Sequence, residues 1–494
     1  MRIQGERSWS WRRILSALAP TSTALALGVV LAGGPPAAAQ EAGAAASSGS
    51  GNGSRFVGVN LPVLNYPGGG ATQGFIDHPS FAANFREMGW NTFRLQIVWS
   101  TLATPADVDE ALRLVPRLVD TLHDQVYTGQ RLYLILDFHQ FRFGPDCGGH
   151  GIPAGRIEPP TATPSDPNCA FLAFELFWQN DGLRQEWIDF AMRFVAMLPD
   201  LAEANQDWLT LGIEPLNEPV AGSSKRLFEG NALQQAIKVW KYVTAVQSGQ
   251  INSRLVPFYR DFLQAVASTV PPDKLPSFLS QVFFVMDPFL FDHISFRFTI
   301  AFGQGITVGS DGNYSSAASL RSLQPAAGPP LPVTWLAGPH HYLGAYDEAL
   351  VGNLPPTFAS LGKYLQYDPR NPLFNQRQME NRFQKWQQRF AQAGMPYFVG
   401  EFGTYTRLPT YEAWIRDSNA LAGKYALGAL WFQYRQDLFT EDQTSYNLLR
   451  RFDDDHAPYP YEVQRLKCGP KFGEVVETIF GKCFDALESG EPGR

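Results

Sequence analysis

Cysteine is scarce in this chain, with four in 494 residues, too few for the dense disulfide framework that small secreted domains use in place of a core. No two of the four have the close spacing of a zinc site. Basic charge is also short. Lys and Arg number 40 against 47 Asp and Glu, a net charge of −7, and with four Arg and one Glu in the first 39 residues the remainder is more acidic still. Nucleic acid needs a positive footprint, so the balance argues against it as a partner. No Gly-x-Ser-x-Gly elbow occurs, which leaves a serine hydrolase without its nucleophile. A phosphate-binding loop and a His-Glu-x-x-His pair are missing too. Gly149-His150-Gly151-Ile152-Pro153-Ala154 has the letters of a dinucleotide fingerprint but sits in a Pro-rich loop with no strand before it and no helix after it. No cofactor is implied, and no internal repeat is present.

Apolar bulk is plentiful: 45% of residues are hydrophobic and 13% aromatic, enough to bury a large core in one big domain with additions. The first residues read as an export signal over 1–39. Arg2, Arg7, Arg12 and Arg13 give a basic start, Ile14 to Leu31 is mostly apolar, and Ala37-Ala38-Ala39 offers small residues for cleavage. Pro20 and several Thr and Ser interrupt the apolar stretch, which disfavours a permanent membrane anchor. The destination is then the periplasm or the medium. Residues 40–54 are Ala, Gly and Ser with almost no apolar bulk, a flexible linker.

From Phe56 onward short apolar runs alternate with amphipathic ones. The strand candidates are Phe56–Leu61, Thr92–Val98, Arg131–Phe138, Leu209–Leu216, Gln281–Met286, Val333–His340, Tyr397–Glu401 and Ala426–Phe432. Helical patterns fall at Val108–Val126, Leu183–Leu198, Val256–Val270, Gln376–Ala393 and Tyr411–Ala422. This alternation predicts an α/β chain folded as a (β/α)8 TIM barrel over 55–465, with long insertions after its strands. A doubly wound open sheet is the alternative, but the glycine turn it needs after an early strand is absent. The connections 140–180, 220–280 and 287–332 are too long for bare loops and would build on the rim where barrel enzymes keep their chemistry. The cysteines fall into two local pairs, Cys147 with Cys169 and Cys468 with Cys483, which suggests one disulfide bracing the first long loop and one closing a C-terminal tail over 466–494.

The chain is organised around Leu211-Gly212-Ile213-Glu214-Pro215-Leu216-Asn217-Glu218-Pro219, a buried-strand run stopped at an Asn-Glu-Pro step. Proline cannot donate to a sheet, so the amide and carboxylate just before it belong at a strand tip. Pro396-Tyr397-Phe398-Val399-Gly400-Glu401-Phe402-Gly403 repeats the arrangement. Polar residues recur where the other runs stop: Arg94 in Thr92-Phe93-Arg94-Leu95, His139 after Leu134-Ile135-Leu136-Asp137-Phe138, His340-His341-Tyr342 after Trp335-Leu336-Ala337-Gly338-Pro339, and Trp431 in Ala429-Leu430-Trp431-Phe432.

This ordered series resembles the family 5 glycoside hydrolases, the cellulase family, whose barrels carry Arg, His, Asn-Glu, His-x-Tyr, Glu and Trp in that order. The resemblance spans most of 56–435. It implies that Glu218 is the general acid/base and Glu401 the nucleophile, with Arg94, His139, Asn217, His340, Tyr342 and Trp431 in support. The implied substrate is a β-linked polysaccharide or oligosaccharide.

The chemistry accounts for these residue types independently. Cleaving a glycosidic bond with retention takes one carboxylate to attack the anomeric carbon and a protonated one to assist the leaving oxygen, about 5 Å apart. Arg94 and the Tyr342 hydroxyl would favour the charged nucleophile, Asn217 would bond the sugar 2-hydroxyl, and the Trp431 indole would stack on the sugar. Phe141, Trp178 and Trp240 on the long loops could line an extended groove, which favours internal cleavage of a β-glucan. The same mechanism serves mannan or a glycolipid head group, and a non-catalytic carbohydrate-binding barrel is the rival of another class. Each residue also has a plainer reading: Arg94 as a structural ion pair, His139 and His340 as satisfied core histidines, Trp431 as core packing. His341 alternates to the other side of its strand and reads as structural. Glu214 reads as a second supporting or structural charge, and Asp137 as either a partner that orients His139 or packing. Three histidines, His139, His340 and His341, could meet around a metal in space, although no metal site is expected.

Overall fold

In the computed structural model the described residues lie within 56–432; positions 1–55 and 433–494 fall outside them, as do rim segments including 141–150, 157–168, 224–237, 239–246 and 343–366. Cys147, Cys468 and Cys483 are therefore outside the described residues. Cys169 starts a helix.

The eight predicted strands form, in order, a single parallel sheet that closes on itself. They are β1 Phe56–Leu61, β2 Thr92–Ile97, β3 Leu132–Phe138, β4 Leu209–Glu214 and β5 Val282–Met286, then β6 in two pieces, Trp335–Ala337 and His340–His341, β7 Val399–Phe402 and β8 Gly428–Trp431. Each of β1 to β5 pairs with its successor, and β8 pairs with β1. The sixth strand completes the ring. Its first piece pairs with β5 and its second with β7, the break falling at Gly338-Pro339 because proline has no N–H to give the ladder.

Five described helices match the amphipathic patterns: α1 Pro105–Thr121, α2 Asp181–Val195, α3 Val256–Thr269, α4 Gln376–Gln392 and α5 Tyr411–Tyr425. The start of α1 is written locally. Thr104 accepts from the Asp107 N–H while Asp107 accepts from the Thr104 N–H, and Pro105 opens the first turn, a capping box that stabilises a helix by about 1 kcal/mol. A further helix, Cys169–Gln179, lies in the first long connection. Its run Phe171-Leu172-Ala173-Phe174-Glu175-Leu176-Phe177-Trp178 has almost no polar face, so no helical period shows in the sequence. Among the described residues no helix is long and apolar enough to cross a membrane.

Strand parity decides what faces where. Phe56, Ile135, Phe283, Val285, Leu336, Phe398 and Leu430 fill the inside of the barrel, while their strand neighbours Phe93, Leu95, Leu134, Leu136, Leu211 and Ile213 pack outward under the helices. Gly212 points inward where a β-carbon would stand 2.6 Å from the Phe283 ring. The lower barrel is thus plugged by aromatics, with Phe56 against Tyr133 at 4.6 Å and Phe398 at 5.3 Å between ring centres. The inward positions further along most of the strands are polar, and they make the mouth.

Candidate active site

Arg94 is the centre of the mouth. It lies on β2 in register with Asn60 of β1 and Ile135 of β3, fully buried, and spends every nitrogen. Nε and Nη2 donate to the two oxygens of Glu214 at 2.6 and 2.8 Å. Nη1 donates to Asn60 Oδ1 at 2.6 Å and to Glu401 Oε1 at 2.7 Å, and Nη2 also to Asn217 Oδ1 at 2.7 Å. Asp137 Oδ2 is 3.1 Å from Nη2. Arg94 makes the ion pairs of its plainer reading, one cation shared by three carboxylates.

The electrostatics follow from that sharing. Burial pushes Asp137 up to about 7 and Glu214 up to about 7, because neither gets the whole of Arg94 to offset its lost hydration. Burial likewise lowers His139 to about 4 and His340 to about 3, so both imidazoles are neutral at physiological pH. His139 Nδ1 sits 2.7 Å from Asp137 Oδ2. Asp137 therefore orients His139.

Glu218 and Glu401 converge from β4 and β7. His340 lies between them, Nδ1 at 2.9 Å from Glu218 Oε1 and 3.3 Å from Glu401 Oε2. One oxygen of each carboxylate and the histidine nitrogen all lie within 4.8 Å of one another. The Tyr342 hydroxyl donates to Glu401 Oε2 at 2.8 Å. Glu401 points inward because β7 breaks its pairing register with β8 between Val399 and Phe402, an irregularity of the kind that re-aims a side chain near a site. The segment after β4 is held by indoles, Trp187 Nε1 on the Pro215 carbonyl at 2.9 Å and Trp178 Nε1 on the Val220 carbonyl at 2.6 Å. Asn217 is tied as well, with Nδ2 donating to the Gln140 carbonyl at 2.9 Å.

Two expectations are corrected. Trp431 is not in the mouth. It pairs in register with Val59 and Phe402, both outward-facing, and is buried edge-on to Phe402 at 5.2 Å. Leu430 takes the inward place on β8, so period 2 sends Trp431 to the helices and Phe432 back to the mouth, 6.3 Å from Tyr342. Trp178 does not line a groove either, being buried against Phe177, Phe258 and Phe289. Phe141 and Trp240 lie outside the described residues.

His341 packs as expected, stacked on Trp414 at 5.1 Å and bonded to Ser418 at 3.1 Å, so the three histidines do not meet. Glu218, His340 and Glu401 are near enough to surround a cation, but Arg94 and Tyr342 already donate into Glu401, and a site that brings its own cation fits ionic hydrogen bonding better. Sequence reasoning passed over Asn60, Gln140, Asp287 and Phe432. Asn60 accepts from Arg94 and donates to the carbonyls of Gly400 and Trp431 at 3.0 and 3.2 Å, tying β1 to β7 just before Glu401 and to β8. Parity along β1 and β5 was the signal for Asn60 and Asp287.

Fold and mouth together define a closed parallel (β/α)8 barrel with a paired-carboxylate site at the carboxyl ends of its strands. No protein-family model matches the chain, and no curated protein does. Among solved structures it is similar to an endogalactoceramidase, with 16% identity over 77% of this chain and 71% of that one and a TM-score of 0.46. It is also similar to endo-glycoceramidase II from Rhodococcus sp., with 15% identity, 83% and 78% covered and a TM-score of 0.46. A family 5 xyloglucanase from Paenibacillus pabuli gives 13% identity, 87% and 99% covered and a TM-score of 0.46. These likenesses are remote.

Proposed function

We propose that this chain is an exported retaining glycosidase that cleaves β-glycosidic bonds inside a β-glucan or related polysaccharide. The observation that carries the proposal is the Glu218–Glu401 pair, with oxygens within 4.8 Å of each other. That near approach favours the separation of about 5–5.5 Å used for retention over the about 6.5–9.5 Å of inverting enzymes.

Ionised Glu401, held by Arg94 and Tyr342, attacks the anomeric carbon. Glu218 in its acid form gives its proton to the leaving oxygen, and the glycosidic bond breaks as the ester to Glu401 forms. Glu218, now a carboxylate, takes a proton from water, whose oxygen attacks the same carbon and frees Glu401. Neutral His340 sits between the two acids and can bond to either as the charge moves. The ordered series shared with the family 5 barrels supports the same roles, and the basic, then apolar, then small-residue start of the chain supports export to the periplasm or medium.

Reducing-end release from β-glucans, mannan and xylan by the mature protein, beside Glu401→Gln and Glu218→Gln, tests the reading. Release from at least one polymer, lost in Glu401→Gln, is expected. Release that survives unchanged in that variant would remove Glu401 from the chemistry, and no release from any polymer would favour a barrel that only binds.

A further inference from the structure

Glu218 is the one non-glycine among the described residues with a left-handed backbone, at φ +38°. An L residue there is strained by about 1–2 kcal/mol, and such strain persists only where the surroundings over-determine it. One bond acts on it directly: the Glu218 main-chain N–H donates to Asp287 Oδ2 at 2.5 Å.

Asp287 follows β5, where Phe283 and Val285 point inward and period 2 sends residue 287 the same way. It is fully buried. Its own carbonyl accepts from the Tyr259 hydroxyl at 3.1 Å, which fixes its backbone to α3. The oxygen that holds the Glu218 N–H also stands 3.5 Å from His340 Nε2, and the other nitrogen of that ring is 2.9 Å from Glu218 Oε1. Asp287 thus reaches Glu218 at both ends, at its main chain and behind the imidazole that meets its carboxyl. The groups facing Asp287 are Glu214 from β4, Glu218 after it, His340 from β6, Arg94 from β2 and Tyr259 from α3. Four of the five are acids or neutral, so burial and the charge of Glu214 push the Asp287 carboxyl well above its ordinary range. A buried carboxyl so placed is poor at stabilising a fold; its geometry serves the residue it holds.

We propose that Asp287 is the positioning residue for Glu218, locking the left-handed main chain there and backing His340, so that the Glu218 carboxyl stays aimed at the leaving oxygen. This rests on the glycosidase reading and adds to it a residue outside the Asn-Glu-Pro segment.

The test uses Asp287→Ala and Asp287→Asn on two β-glycosides of the same sugar. One has a dinitrophenolate leaving group, which departs without a proton; the other has a sugar leaving group, which needs one. The Asn amide oxygen can still accept the Glu218 N–H, and Ala cannot. Asp287→Ala is expected to lower kcat/KM about 100-fold on the sugar leaving group and less than about 3-fold on the dinitrophenolate, the range of a lost general acid. Asp287→Asn is expected to recover most of that loss. Equal losses on both substrates, or no loss on either, overturn the proposal. Should the alanine variant fail to fold, Asp287→Ser, whose hydroxyl falls short of the N–H, replaces it with the same two outcomes. A crystal structure of the folded variant reads the geometry without any substrate: Glu218 should relax to negative φ and leave His340. Glu218 still left-handed and still on His340 overturns the proposal. Wild-type protein inert on both glycosides, with Glu218 displaced in the variant, would instead sink the glycosidase reading alone.

Discussion

Arg94 and Glu401 meet across the barrel mouth, Nη1 donating to Oε1 at 2.7 Å, while the Tyr342 hydroxyl donates to Oε2 at 2.8 Å. Each oxygen of Glu401 therefore has its own donor, one fixed by β2 and one by the residue just past β6. Two donors on two oxygens fix the plane of the carboxylate.

Tyr342→Phe removes one of those donors and leaves the ring. A hydrogen bond to a charged group contributes about 1.5–3 kcal/mol, so kcat/KM should fall about 10- to 100-fold. The urea midpoint should stay where it is, since Tyr342 is only partly buried. Kinetics on any cleaved glycoside beside a denaturation curve check both halves, and an unchanged kcat/KM would show that Tyr342 is a bystander.

Arg94→Lys keeps the charge and loses the fork. A lysine cannot donate in parallel to both oxygens of Glu214 while reaching Asn60, Asn217 and Glu401. The carboxylates left behind are buried, and breaking such a cluster destabilises by about 3–5 kcal/mol. Urea unfolding reads this; a loss under about 1 kcal/mol would mean that the cluster relaxes around a point charge.

Trp431 and Phe432 separate packing from substrate contact. Trp431→Ala empties a site in the outer core and should cost about 3–5 kcal/mol of stability with KM little changed in the protein that folds. Phe432→Ala, beside Tyr342 at the mouth, should raise KM and cost far less stability. Paired melting and saturation curves decide it, and the reverse pattern would return the indole to the sugar.

The barrel was legible because most of its strands are apolar runs ended by Gly, Pro or a charge, as in Leu209 to Pro215 and Val282 to Pro288. Its sixth strand was less so, since Gly338-Pro339 splits it into pieces that pair with different neighbours. The site was legible wherever a polar residue continues an inward parity, as Asp137 and His139 do on β3. Reading Trp431 as a platform broke that same parity, which Leu430 had already set. Glu401 is the opposite case, inward only because the ladder slips at Gly400. Parity along β5 turns Asp287 inward, but its task is not written in sequence, because its partner is a main-chain N–H whose strain comes from the fold.

Asp137→Asn tests the shared cation through pH. An aspartate titrates near 3.9 in an unfolded chain, whereas burial holds Asp137 at about 7 in the folded one. The folded state therefore binds this proton more tightly, and the group's contribution to stability is full below about 4 and is lost as pH rises to about 7. Asparagine has no such dependence. The gap, wild-type stability minus that of Asp137→Asn, should fall from pH 4.5 to pH 7.5, read from urea midpoints at steps between. His139 and His340 titrate in the opposite sense, adding stability above about 6.5 that is lost as pH falls through about 4 and about 3, but they are present in both proteins and largely drop out of the difference. A gap that rises with pH would mean that Arg94 keeps Asp137 ionised throughout, and that the cation is not shared but assigned.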